Sequence, residues 1–134
     1  MTSLIEIEGI GPSYAGKLRD AGVRSTSALL ERGGTAKGRK ELAAATGIEE
    51  SRLLEWVNHA DLFRIRGIGS EYADLLEEAG VDTVKELGQR KPESLYEALV
   101  KTNEEKKLVR KLPTSDQVKE WVKQAKTLPR AVAY

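Results

Sequence analysis

The sequence predicts an all-α protein built by internal duplication. Ile7-Glu8-Gly9-Ile10-Gly11 returns 58 residues later as Ile65-Arg66-Gly67-Ile68-Gly69. Tyr14, Ala15, Leu18 and Ala21 are matched at that offset by Tyr72, Ala73, Leu76 and Ala79. Further on, Leu53, Trp56, Val57 and Ala60 are matched by Val118, Trp121, Val122 and Ala125, now at an offset of 65. All of these apolar sets recur at helical spacing, and nothing alternates with the two-residue period of a strand.

In chain order, Met1–Glu6 is too short for a full helix, so Leu4 and Ile5 form at most a turn. Pro12 suits a first helical position, where its missing N–H costs nothing. That helix carries Tyr14, Ala15, Leu18 and Ala21, and Gly22 ends it as a left-handed cap followed by apolar Val23. Ser25 caps a short helix with Ala28, Leu29 and Leu30, stopped by Gly33-Gly34. Thr35 caps the next, which runs to Thr46-Gly47; its Ala43-Ala44-Ala45 run would let a neighbouring helix come close. The Trp56 helix follows and leads through Leu62 and Phe63 into the second copy with no Pro- or Ser-rich linker, which predicts directly joined halves.

The second half repeats the plan. Gly80-Val81 match Gly22-Val23, and Thr83 with Glu86 reads as a capping box before Leu87. Pro92 opens a helix with Leu95, Tyr96, Leu99 and Val100. A separate short charged helix is expected from about Glu104 to Arg110, before Leu112-Pro113-Thr114-Ser115 starts the last helix. The change of offset from 58 to 65 implies seven inserted residues, expected between Lys101 and Arg110.

The 134 residues suit one compact domain or two small ones. With no cysteine, disulfides, zinc fingers and thiol catalysis are excluded. No apolar run approaches a membrane span and no secretion signal is present, so a membrane partner is not expected and the cytoplasm is the default location. The net charge of +1 argues against a chain made chiefly to neutralise phosphates. Its distribution is uneven: +4 over Gly16–Glu41, −6 over Glu71–Glu105 and +6 over Lys106–Arg130. A basic face can therefore exist on a near-neutral chain.

Two glycines around one isoleucine form a tight turn whose backbone can approach a partner closely. A helix starting straight after it points N–H groups out of the turn, an arrangement that suits an anion. Read this way, the pentapeptides are the hairpins of helix-hairpin-helix motifs. In the first copy Gly9, Ile10 and Gly11 are candidate amide donors, with Lys17, Arg19 and Arg24 as nearby cations; Glu8 opposes a phosphate. The second copy offers Arg66, Gly67, Ile68 and Gly69, but Glu71, Asp74, Glu77 and Glu78 follow, making it the weaker site. Lys119, Lys123 and Lys126 line one face of the last helix. This basic segment is either a second surface, a solvated face, or a partner for the acidic Glu71–Glu105 region. Trp56 and Trp121 read as duplicated core anchors. His59 is the single histidine, so no metal site is expected, and no nucleophile–base pair, cofactor or enzymatic activity is indicated.

Gly9-Ile10-Gly11-Pro12 and Gly67-Ile68-Gly69, each followed by Tyr-Ala at a fixed distance, resemble the helix-hairpin-helix modules of DNA repair and recombination proteins. Over residues 4 to 128 the sequence resembles an uncharacterised domain-of-unknown-function family with four such motifs, two regular and two degenerate. Trp56-Val57-Asn58-His59-Ala60-Asp61-Leu62-Phe63-Arg64-Ile65 and Asn103–Val109 through Leu112-Pro113 carry that resemblance. It implies two tandem helix-hairpin-helix pairs of SAM-like architecture, residues 1–63 and 64–134, the second with a short C-terminal tail. It implies no activity. The functional expectation is sequence-nonspecific DNA binding through the first hairpin; a protein-interaction or scaffolding module is the alternative. Oligomeric state is left open.

Overall fold

The computed structural model describes residues 3–134, and the described residues are helical with no strand. Among the described residues a 3-10 turn, Leu4–Glu6, precedes eight α-helices. These are α1 (Pro12–Asp20), α2 (Thr26–Gly33), α3 (Ala36–Thr46), α4 (Glu50–Leu62), α5 (Ser70–Glu78), α6 (Val84–Gly88), α7 (Pro92–Lys106) and α8 (Ser115–Thr127). The duplication is visible in the bounds: α5 is α1 shifted by 58 and α8 is α4 shifted by 65. Met1 and Thr2 lie outside the described residues. The chain divides into two compact units, Met1–Asp61 with Ala131–Tyr134, and Leu62–Arg130.

Helix ends follow from local chemistry. Pro12 opens α1, and its far end closes through Gly22, at φ 89°: Val23 N donates to Leu18 O at 2.8 Å and Gly22 N to Arg19 O at 2.9 Å. The second copy repeats this with Val81 N to Leu76 O at 2.8 Å and Gly80 N to Glu77 O at 3.0 Å. Side-chain oxygens of Ser25, Thr35, Thr83 and Thr114 cap α2, α3, α6 and α8. Half of the expected Thr83–Glu86 box forms, with Glu86 N donating to Thr83 Oγ1 at 3.3 Å, while the reciprocal bond falls one residue early, Glu86 Oε2 accepting from Asp82 N at 3.4 Å. A complete box forms at Thr114 and Gln117 instead.

In the first unit, Leu18, Val23, Leu29, Leu42, Leu53, Trp56 and Val57 are buried. Of the alanine run, Ala44 and Ala45 are exposed and Ala43 is half-buried. Close packing falls at Gly33, where a Cβ would stand 2.6 Å from Val57 Cγ2. The turn between α2 and α3 also holds residues 131–134: Ala133 N donates to Gly34 O at 2.7 Å. Arg39, itself buried, donates from Nη1 to Gly33 O at 2.8 Å and from Nη2 to Ala133 O at 2.7 Å. Val132 is buried there as well.

The second unit has one apolar core, with Leu76, Leu87, Leu95, Leu99, Val118 and Trp121 among its buried side chains. The separate helix expected over Glu104–Arg110 is not formed. Nothing between Val100 and Glu104 breaks a helix, so α7 continues to Lys106 and stops where Lys107 takes φ 51°. Asn103 then fixes the exit: its Oδ1 accepts from Val109 N at 3.0 Å and its Nδ2 donates to Val109 O at 3.3 Å. The seven extra residues are thus two at the end of α7, which runs to 106 where α3 at an offset of 58 would end at 104, and five in the segment 107–114, which stands for the three-residue loop 47–49. One member of the basic segment does meet the acidic region. Lys106 Nζ lies 2.8 Å from Glu78 Oε2, and that hydrogen bond and charge hold the Lys106 ammonium above its ordinary range.

Candidate functional site

The first pentapeptide is a closed turn with a buried underside. Ile7 and Ile10 are buried, and Ile10 N donates to Ile7 O at 3.1 Å. Between them Gly9 sits at φ 93°, a left-handed conformation that favours glycine. A Cβ on Gly9 would stand 3.3 Å from Trp56 Nε1, so the turn rests on the edge of that indole. Trp56 is buried, and Tyr14 meets it edge-on with ring centroids 5.1 Å apart.

Gly11 differs in kind from Gly9. Its φ of −88° and ψ of −178° suit any residue, and a Cβ there would meet nothing within 4 Å. It is nevertheless the N-cap of α1, with no side chain capping the helix. The first turn of an α-helix leaves N–H groups without acceptors inside the helix. Here they open on a bare glycine, and the helix dipole adds partial positive charge.

Two cations sit on Tyr14, the third residue of α1. Lys17 Nζ lies 5.7 Å from the centre of the Tyr14 ring, and Arg52 Cζ lies 5.4 Å from it. Both fall within cation–π range. Trp56, Tyr14 and the two cations thus form a stack that runs from the core to the surface. Arg52 reaches it from α4, one helical turn before Trp56. The sequence reading missed Arg52, because only the Trp56–Tyr14 contact brings α4 beside the start of α1.

The predicted cations divide. Lys17 and Arg19 are two residues apart on α1, about 200° around the helix. Arg19 and Arg24 line a separate hollow of ≈ 350 Å³ with Ser3, Leu4, Ile5, Pro12 and Ala15.

The second copy keeps the frame and loses the charge. Gly67 has φ 97°, its Cβ would stand 3.0 Å from Trp121 Nε1, and Ile68 N donates to Ile65 O at 3.2 Å. Gly69 is again an uncapped, open N-cap. At the respective offsets of 58 and 65, however, Lys17 becomes Leu75, Arg19 becomes Glu77, Arg24 becomes Asp82 and Arg52 becomes Gln117. Leu75 is buried and Gln117 serves the capping box of α8. Tyr72 packs on Trp121 with centroids 5.2 Å apart, and its hydroxyl donates to Lys111 O at 3.0 Å. The backbone of Arg66 is held by Gln124, which accepts from Arg66 N at 2.9 Å and donates to Arg66 O at 3.2 Å.

Elsewhere, Lys119, Lys123 and Lys126 are exposed on α8, and Lys126 lines a hollow of ≈ 380 Å³ with Lys85, Gln89 and Arg130. His59 is buried on α4. Among the described residues no group of three or more His, Asp or Glu side chains is arranged to hold a metal ion, and no helix is long and apolar enough to cross a membrane.

Residues 8–128 match the family model described as Domain of unknown function (DUF4332). The chain belongs to this family. The match takes in both glycine turns, both Tyr–Trp pairs and the insertion after α7. Comparison with curated proteins and with solved structures found no match.

Proposed function

We propose that the turn at Gly9–Gly11 is the hairpin of a helix-hairpin-helix motif and binds the phosphate backbone of DNA without reading its sequence. The reading is non-enzymatic. One observation carries it: Lys17 and Arg52 stand on Tyr14, a first-turn residue of the uncapped helix α1, while the same frame in the second copy has Leu75 and Gln117. Since the Ile10 N–H is already donated to Ile7, the donors turned to a phosphate are Gly11 and the first turn of α1. Backbone amides and two flexible cations recognise phosphate charge and carry no information about bases. In this reading the turn at Gly67–Gly69 is structural, and its neighbours Glu71 and Glu77 would repel a phosphate.

The test is fluorescence polarisation with labelled duplex DNA across a salt series. Affinity should fall steeply as salt rises, and Lys17→Glu with Arg52→Glu should weaken binding and flatten the log K against log salt plot by about 1.8, two contacts' worth on duplex. Wild-type affinity that ignores salt, or a double variant that binds like wild type, would sink the proposal and leave the protein-interaction alternative.

A further inference from the structure

The hollow beside Pro12 has features that a phosphate clamp alone does not need. Arg19 and Arg24 are exposed at its edge, and Leu4, Ile5, Pro12 and Ala15 give it an apolar lining. Ile5 leaves 61% of its surface exposed in this lining. Pro12, the first residue of α1, is part of this lining. Its volume of ≈ 350 Å³ lies at the lower end of the range for small-ligand clefts, about 300–1,000 Å³.

Two guanidiniums over an apolar floor suit a group that is anionic at one end and flat and apolar at the other. A nucleotide unit is such a group: a guanidinium fork binds phosphate oxygens and also stacks on a base. In a duplex the bases are paired and stacked inside, so the surface offers phosphates without a free base face. A single strand offers both together.

We infer that the hollow bounded by Ile5, Pro12, Arg19 and Arg24 holds one unstacked nucleotide of a single strand, so that the chain prefers single-stranded to duplex nucleic acid. Arg19 and Arg24 take its phosphates, and its base lies against Ile5 and Pro12. The neighbouring phosphate sits at the start of α1. This deepens the hairpin reading and rests on it. In the second copy Glu77 and Asp82 stand in the places of the two arginines, so the corresponding surface would repel a phosphate.

The experiment compares the full chain on labelled oligothymidylate and on a blunt duplex, each of about 20 residues per strand, at matched ionic strength. Single strand should bind about tenfold more tightly. Arg19→Ala with Arg24→Ala should lower single-strand affinity about tenfold and flatten its salt slope by about 1.4, leaving duplex affinity within about threefold. Ile5→Ser should weaken single-strand binding about fivefold with an unchanged slope, because it removes an apolar contact and no charge. All three side chains are exposed, so these variants retain the fold. Equal affinity for the two forms, or equal losses on both in the arginine variant, overturns the inference. If those equal affinities still collapse with Lys17→Glu and Arg52→Glu, the hairpin reading stands without it. A wild-type chain that binds neither form overturns both.

Discussion

Gly9 and Gly11 look alike in the sequence and do different work. An alanine at Gly9 would have to adopt φ 93° and bring its methyl to 3.3 Å from Trp56 Nε1. The same change at Gly67 meets Trp121 Nε1 at 3.0 Å. Left-handed strain alone costs about 1–2 kcal/mol, so both variants should be destabilised by at least that much in urea titrations, Gly67→Ala more than Gly9→Ala. At Gly11 and Gly69 neither strain nor crowding excludes a side chain. Gly11→Ser would cap α1 as Ser25 caps α2, and Gly69→Ser would do so for α5. Each should raise stability by a few tenths of a kcal/mol. Gly11→Ser should at the same time weaken DNA binding, because the hydroxyl takes an amide that a phosphate would use; Gly69→Ser should leave binding unchanged. Thermal melts beside polarisation assays read both effects, and weakening by Gly69→Ser alone would reverse the proposed division of roles.

At the scale of elements, the duplicated helices were legible because their apolar spacing and their cap residues agree. Pro12, Ser25, Thr35, Pro92 and Thr114 each stand at or beside the helix start that the sequence indicates. The insertion was located but its form was not. Lys107 ends α7 in a left-handed conformation that lysine rarely adopts, and no Gly or Pro announces the stop. The stop rests instead on the paired bonds between Asn103 and Val109, a contact with no periodic signature. Asn103→Ala should therefore cost about 1–3 kcal/mol and loosen the 107–114 segment, seen as faster amide exchange at Val109. Unchanged exchange there would show that the segment is held by something else. The stack on Tyr14 was half legible for a related reason: Lys17 lies on the same helix as Tyr14, while Arg52 arrives through a tertiary contact.

At the scale of the molecule, residues 131–134 belong to the first unit although the second separates them from it in the chain. No sequence pattern marked this return; it depends on Arg39, whose burial a charged residue on a polar helix does not suggest. Arg39→Ala would leave the carbonyls of Gly33 and Ala133 without their donor and open a void, at a cost of about 2–4 kcal/mol in urea unfolding. Loss under about 0.5 kcal/mol, the level of an ordinary surface change, would show that the clamp contributes little.

The bond between Arg39 and Ala133 spans 94 positions of sequence. During synthesis domains generally fold as they emerge, the N-terminal one first. Here the ribosome must deliver all of Leu62–Arg130 before the first unit can receive Val132 and Ala133. Until then the buried Arg39 site and the backbone of Gly34 are incomplete. The unit made first is thus finished last, and its nascent form lacks the segment 131–134 throughout the translation of its duplicate.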